Sequence, residues 1–500
     1  MAKMSSNRSS EGTVESYAKL PLQSTVLCVD LDGTFLKADT LVECFIEAIR
    51  NRPSVLLFVP IWLAHGRFYF KEALAHRVGR ELDFKLCPRD HAVERFIAEA
   101  RAHGATIELI SAAEHRMIVD RPEFDDLFDA VIGSSDGVNL KGHAKAEFLC
   151  TRHPSGFAYV GNSAADLPVW RIAKERFGVN LRPLVRYRAK LEGLDLVELA
   201  RAKPLLPALL EAMRLHQWLK NLLVFVPLGL IVMEAGWSDL LTFVAGFLLF
   251  GLLASGTYLA NDIMDMEADR GHPTKRYRPI PSGDLSVPLA TLASFGLIVA
   301  ALFGAYLLSL TFALTLVGYL LLTLSYSIFF KRLPLIDVLV IAGLFTLRIV
   351  AGMVLIGQSP SEWLLMFAIF FFVSLALMKR EVELRLTAET GGESLRGRGY
   401  ALEDRLFVFA FGVSSGVAAL VVFALFVSAM GHESQSAYAT PALLWGALAT
   451  LSYWVMRMWL LTARGLMHDD PILHAAREPA SLILGALTAL FVGMAQLLHL

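Results

Sequence analysis

Past residue 214 the chain is a series of apolar runs separated by short polar loops, and no other feature limits its fold so strongly. A helix needs roughly 20 apolar residues to cross a hydrocarbon layer about 30 Å thick. Within that layer the backbone must satisfy its own hydrogen bonds, so the runs are predicted to be helices. We place about nine spans, over 218–236, 238–260, 288–308, 310–329, 335–356, 361–379, 403–430, 440–463 and 480–499. The loops at 234–239, 309–311, 356–362 and 431–441 lack Lys and Arg, whereas the intervening ones carry Lys275, Arg276, Arg278, Lys331, Arg332, Lys379, Arg380, Arg396 and Arg398. The positive-inside rule sets the basic loops and the N-terminal region on the cytosolic side of the cytoplasmic membrane, with the C-terminus opposite.

The region before residue 200 is mixed and charge-rich, so a chain of 500 residues with 55 % hydrophobic content divides into a soluble and a membrane part. A formal net charge of −1 argues against a nucleic-acid binder. Cys28, Cys44, Cys87 and Cys150 show no metal-ligand spacing and read as reduced thiols. Residues 1–23 are polar and Ser-rich, without a basic-then-apolar leader, and are expected to form a disordered tail. A folded domain is expected over 24–200, a linker over 201–213 and the membrane domain over 214–500. Self-association is left open.

In the soluble part a buried-strand pattern, "STVLCV", runs into "DLDGTFL" and leaves Asp30 and Asp32 at the carboxyl end of a strand. In a parallel α/β sheet ligands bind at that edge. Two carboxylates so placed could supply a nucleophile, a general acid and a magnesium ligand, although D-x-D-G is also an ordinary turn. "TIELISAA" ends a strand at Ser111, "LKGHAKAEFL" offers Lys141 and Lys145, and "GFAYVGNSAADLP" ends another strand before Asn162 and Asp166. In this order the segments resemble the haloacid-dehalogenase-like (HAD) phosphatases over about Thr25 to Ala200. The resemblance implies an α/β, Rossmann-like fold. It implies Asp30 as the nucleophile, Asp32 as acid and base, Ser111 and Lys145 on the phosphate, and a magnesium site at Asp30, Asp32 and Asp166. Lys145 matches the family's helix-opening lysine better than Lys141. Asn162 stands where the family usually has an acid, leaving fewer carboxylates for the metal and an inactive scaffold as the alternative. A helical insertion at about 38–100 looks like a cap. Its apolar stretch, Val55 to Ala64, is too short to span a bilayer and reads either as core packing or as a surface resting on lipid.

The stretch "NDIMDMEADRGHPTKRYRP", 261–279, follows the second predicted span. On a helix Asp262, Asp265 and Asp269 fall on one stripe, where hard carboxylate oxygens suit Mg²⁺ and Mg²⁺ suits a diphosphate. Lys275, Arg276 and Arg278 could grip the same phosphates. Asn261 followed by D-x-x-D-x-x-x-D resembles the UbiA-type membrane transferases over about Arg214 to Leu500, which implies nine helices and a cytosolic magnesium-diphosphate site. Usual members carry a second aspartate motif between helices six and seven. Here that segment reads "LMKREVELRL", and Lys379 and Arg380 favour an anionic second ligand over a neutral aromatic acceptor.

With "RLHQWLKNLLVF" and "RGHPTKRYRPIPSG", this departure resembles the decaprenyl-phosphate phosphoribosyltransferases. The resemblance implies phosphoribosyl diphosphate as donor and a polyprenyl phosphate as acceptor, the HAD-like domain then removing the ribose 5-phosphate from a precursor of cell-surface glycans. Lys220 and Asn221 share a face with Arg214 and Gln217 at the first helix entrance, fit for phosphate binding or interfacial anchoring. Arg348 shares a face with Asp337 and either contacts donor phosphate or pairs with a carboxylate. Lys331 follows the same logic. Two rivals are an aromatic prenyltransferase and a transporter with a regulatory HAD-like domain.

Overall fold

The protein is described from a computed structural model, over residues 24–78, 83–135, 138–230, 236–359, 361–392, 394–395, 398–430, 438–467 and 470–498. The expected tail at 1–23 and Arg396 lie outside the described residues. The chain forms two compact units, Met1–Ala212 with Asp262–Thr291, and Met213–Asn261 with Leu292–Leu500. The polar segment placed by chain order in the membrane domain thus packs with the N-terminal region.

The first unit is built on six strands, β1 (Val26–Val29), β2 (Thr106–Glu114), β3 (Ala130–Ser134), β4 (Ala158–Gly161), β5 (Glu175–Val179) and β6 (Val197–Ala200). They form one parallel sheet in the order β3-β2-β1-β4-β5-β6. Alternate side chains of a strand face opposite ways, so Leu27 and Val29 enter one core with Leu109 and Val160, while Cys28 enters a second with Ile110 and Trp170. Burial on both faces explains the unbroken apolar run in the sequence. The strand order reverses at β1, and its carboxyl end is where a crevice opens.

Between β1 and β2 lie helices Thr40–Asn51, Val59–Ala64, Arg67–Val78 and His91–Ala102. The last sits inside the predicted cap range but buries Val93 and Ile97 in the sheet's core, as a crossover helix between parallel strands must. The polar segment is fastened to the same unit. Arg270 donates to both oxygens of Glu43, at 2.7 and 2.9 Å, with both side chains nearly buried. Arg50 pairs with Glu267, and Lys203 meets Asp284 at 2.6 Å.

Among the described residues seven helices, lying wholly or mostly in the second unit, are long and apolar enough to cross a membrane: Trp237–Met264, Val287–Leu308, Leu310–Ile328, Ile336–Leu355, Glu362–Glu389, Leu402–Met430 and Pro479–Leu497. They match seven predicted spans. The eighth, Leu444–Ala463, is a helix of 20 residues but carries Arg457. The first predicted span is not one helix among the described residues, because a 3-10 helix over Leu215–Phe225 gives way to a short α-helix, Val226–Leu230. Small residues let helices touch: a Cβ on Gly352 would lie 2.1 Å from the Val224 carbonyl, and Ser374 donates to the Gly412 carbonyl at 2.8 Å.

Candidate functional sites

The sheet edge at β1 gathers most of the residues expected there. Lys145 is buried and donates to Asp30 at 2.6 Å, to the Ile110 carbonyl at 3.1 Å and to the Tyr159 hydroxyl at 3.2 Å. Tyr159 in turn donates to Asp166 Oδ1 at 2.7 Å, while Asp166 Oδ2 accepts from the backbone of Asn162 and Ser163 and from the Ser163 hydroxyl. Asp32 accepts from Thr40 N at 2.8 Å and Thr40 Oγ1 at 3.1 Å. Ser111 is fully buried on β2, with its hydroxyl accepting from Ala113 N. Lys141 is exposed. Tyr159, Thr40 and Lys71, which donates to the Ala112 carbonyl at 3.1 Å, are additions that strand and turn patterns do not single out.

Burial raises both aspartates of the turn. Burial pushes Asp30 up to about 6, with Lys145 pulling it back and Asp166 adding to the rise. Burial and then Asp39 push Asp32 up to about 7 against the Thr40 hydrogen bonds. Gly33 holds φ +74°, and a Cβ there would lie 2.0 Å from the Asn162 amide nitrogen. The glycine thus admits Asn162 against the D-x-D-G turn. Asp30, Asp32 and Asp166 offer carboxylate oxygens of the kind Mg²⁺ takes, but among the described residues the side chains close enough to share one metal ion are Cys28, Glu108 and His153.

In the polar segment the predicted single stripe is broken. Helix Trp237–Met264 stops, Asp265 adopts a turn conformation (φ −93°, ψ 5°) and a short helix, Met266–Arg270, follows. Asp262 and Asp269 are buried and Asp265 is partly exposed. The aspartates are nevertheless linked, because one nitrogen of Arg278, Nη1, lies 2.6 Å from Asp269 and 3.3 Å from Asp262. Two carboxylates thus converge on one positive atom, a nitrogen of the Arg278 guanidinium. Lys275 lies 3.9 Å from Asp269 and is exposed, as is Arg276, which donates to the Tyr277 hydroxyl. Asn261 lies in the last turn of the long helix and is half-buried.

Inside the membrane unit Lys220 and Lys379 both donate to Asp470 Oδ2, at 2.9 and 3.2 Å. Burial raises Asp470, but the two lysines overcome it and hold the carboxyl well below the usual range. Arg348 donates to Asn221 at 2.9 Å and to the Tyr319 hydroxyl at 3.0 Å. It therefore pairs with neutral partners, and not with Asp337. Lys331 sits half-buried in a turn, Phe330–Arg332. Arg380 is fully buried, donating to Asp337 at 2.8 Å and to Glu383, with the Tyr400 hydroxyl on Asp337 at 2.6 Å. It sits in an internal ion-pair network, and its Nη2 has no hydrogen-bond partner among the described residues. Asp470 escaped the sequence reading, although Asp-Pro opening a helix marks an N-cap, and its side chain does accept from Ile472 N. A separate cavity of about 880 Å³, lined by Leu223, Phe367, Phe371, Phe426, Trp454 and Leu484 among others, is almost wholly apolar.

Residues 222–470 match the UbiA prenyltransferase family. A protein of Sinorhizobium fredii, y4nM, itself uncharacterized, is 40% identical over 94% of this chain and 90% of its own length. The decaprenyl-phosphate phosphoribosyltransferase of Mycobacterium tuberculosis is 36% identical over 191 residues, 37% of this chain and 63% of that protein. A solved UbiA homolog from Archaeoglobus fulgidus, bound to GPP and Mg²⁺, aligns with 58% of this chain and 99% of its own at 17% identity and a TM-score of 0.43.

Proposed function

Because this chain belongs to the UbiA prenyltransferase family, we propose that its membrane unit transfers phosphoribosyl from phosphoribosyl diphosphate to a polyprenyl phosphate, and that its α/β unit is a HAD-type phosphatase removing the ribose 5-phosphate. The observation that carries this reading is the pair Lys220 and Lys379 on one carboxylate, Asp470. Two ammonium groups in an apolar setting call for an anion, and an acceptor phosphate could replace Asp470 between them. A neutral aromatic acceptor offers no such partner. The relative named as a decaprenyl-phosphate phosphoribosyltransferase supports the same transferred group and kind of acceptor, and the apolar cavity is of a size and lining suited to part of a polyprenyl tail.

An oxygen of the acceptor phosphate attacks the anomeric carbon as the bond to the diphosphate oxygen breaks. The acceptor is already an anion, so no base is required. Arg278 and Lys275 would contact the diphosphate, and Arg348 would add positive charge within the membrane unit. Mg²⁺, held by Asp262, Asp265 and Asp269 for transfer and by Asp30, Asp32 and Asp166 for hydrolysis, would neutralise charge on phosphate oxygens. In the second reaction Asp30 attacks phosphorus, the ester bond to the ribose 5-oxygen breaks, and Asp32 delivers a proton to that oxygen. Asp32 then takes a proton from the water that cleaves the aspartyl-phosphate, and inorganic phosphate leaves. Lys145 and Ser111 hold the transferring group. Joining the two activities in one chain raises the phosphatase concentration near a membrane-confined product.

The test supplies purified protein with Mg²⁺, labelled phosphoribosyl diphosphate and decaprenyl phosphate. A ribosylated lipid and released inorganic phosphate are expected. No ribosylated lipid, or product only with a prenyl diphosphate and an aromatic acceptor, overturns the transferase reading. An Asp30→Asn variant is expected to accumulate the 5-phosphorylated lipid; undiminished phosphate release would refute the phosphatase assignment.

A further inference from the structure

The segment between Asn51 and Arg67 combines two features that a soluble cap does not need. Leu56, Leu57, Phe58, Ile61 and Leu63 are 49%, 77%, 38%, 54% and 51% exposed, while Val55 and Trp62 turn inward and are buried. These exposed side chains follow one another through a 3-10 turn, Pro53–Leu57, and helix Val59–Ala64. A contiguous apolar ridge of this kind marks a surface meant to be covered.

The charge along the ridge is mainly basic. From 48 to 71 the sequence contains Arg50, Arg52, Arg67 and Lys71 and no acidic residue, with Glu47 and Glu72 bounding the stretch. Arg77 lies over the rings of Phe58 and Trp62, 4.7 and 5.0 Å from their centroids, and Arg52 donates to the Arg77 carbonyl. Apolar tips set among bases fit an acyl boundary beneath anionic headgroups.

Connectivity supplies an independent reason to name a bilayer. The helix that precedes the ridge, Thr40–Asn51, is tied by Glu43 to Arg270 and by Arg50 to Glu267. Both partners belong to the segment that joins two apolar helices of membrane length, Trp237–Met264 and Val287–Leu308. A chain emerging from one span and entering the next stays at the membrane surface, so the element carrying the ridge is anchored to a segment already there.

We propose that the ridge Leu56–Leu63 inserts into the headgroup layer of an anionic bilayer and that Arg52 and Arg77 lie among the lipid phosphates. Membrane contact stands apart from the proposed chemistry. Its consequence for hydrolysis of a lipid-linked phosphate rests on that reading.

The test reconstitutes the full chain carrying Cys150→Ser, with a polarity-sensitive fluorophore on Leu57→Cys or, as a control, on Arg188→Cys. In vesicles containing phosphatidylglycerol the probe at 57 is expected to shift to the blue and be quenched at least twofold by brominated lipid, with weaker quenching in phosphatidylcholine and none at 188. Quenching at 57 no greater than at 188 overturns the proposal. So does a probe at 57 shielded equally in detergent and crosslinking to a second copy, which would make the ridge a protein interface. Where 57 is quenched, Leu57→Asp with Ile61→Asp is expected to abolish quenching of a probe placed at Leu56→Cys; persistence would mean that the ridge does not drive insertion. The same double variant is expected to slow release of phosphate from the 5-phosphorylated lipid several-fold while leaving hydrolysis of a water-soluble phosphate ester unchanged. Equal loss on both would place the effect in the hydrolytic site.

Discussion

Lys379 and Arg380 are neighbours in sequence and opposites in role. Arg380 has no exposed side-chain surface and pairs with Asp337 and Glu383, so Arg380→Met leaves the buried Asp337 with Arg398, 3.9 Å away, as its one remaining cation and is expected to destabilise the membrane unit by about 3 kcal/mol. Thermal unfolding in detergent reads this directly. Lys379→Met leaves Lys220 on Asp470 and is expected to raise the KM for polyprenyl phosphate about tenfold, roughly 1.4 kcal/mol of binding, with little change in unfolding temperature. The motif "LMKREVELRL" displays both bases but cannot show which one its neutralising acids claim, because Asp337 is contributed by another helix. The aspartates at β1 make a second pair of unequal residues. Burial raises Asp32 to about 7, above its ordinary value of 3.8, so its contribution to folding is complete below pH 4 and is lost as pH rises through about 7. In EDTA, Asp32→Asn is therefore expected to melt above the parent at pH 8, by an amount on the order of 2 kcal/mol, and level with it at pH 4.

At the scale of elements, one helix serves both networks because adjacent residues point about 100° apart on an α-helix. Glu362–Glu389 can thereby send Lys379 to Asp470 and Arg380 to Asp337. Most elements were legible as sequence: apolar runs of membrane length became helices, and strand ends placed Asp30, Ser111 and Asp166 at one sheet edge. What sequence periodicity could not supply was interruption. The turn at Asp265 breaks an otherwise helical pattern, and convergence on Arg278 depends on a loop that folds back over 16 residues. The geometry makes Asp262 and Asp269 the aspartates with least slack. Asp262→Asn or Asp269→Asn is expected to reduce ribosyl transfer by about 100-fold or more while leaving hydrolysis of a soluble phosphate ester unaltered, as followed by parallel assays.

Across the whole molecule, the α/β unit is discontinuous in sequence, leaving at Ala212 and resuming at Asp262. Its two pieces meet through the buried pair Glu43 and Arg270. A double-mutant cycle of Glu43→Gln and Arg270→Met, read by unfolding, is expected to give a coupling of about 1–3 kcal/mol. Neither piece announces the other in the sequence, since a soluble domain and an interhelical loop look like separate projects until a salt bridge 227 residues long in chain distance joins them.

That discontinuity fixes a parity. Residues on both sides of 213–261 belong to one folded body and so share a side of the bilayer, which obliges the intervening stretch to cross an even number of times. Trp237–Met264 is long and apolar enough for one crossing, and the parity asks the stretch before it for a second. Glu43 and Arg270 can then meet only in a chain in which both crossings, or neither, have been made.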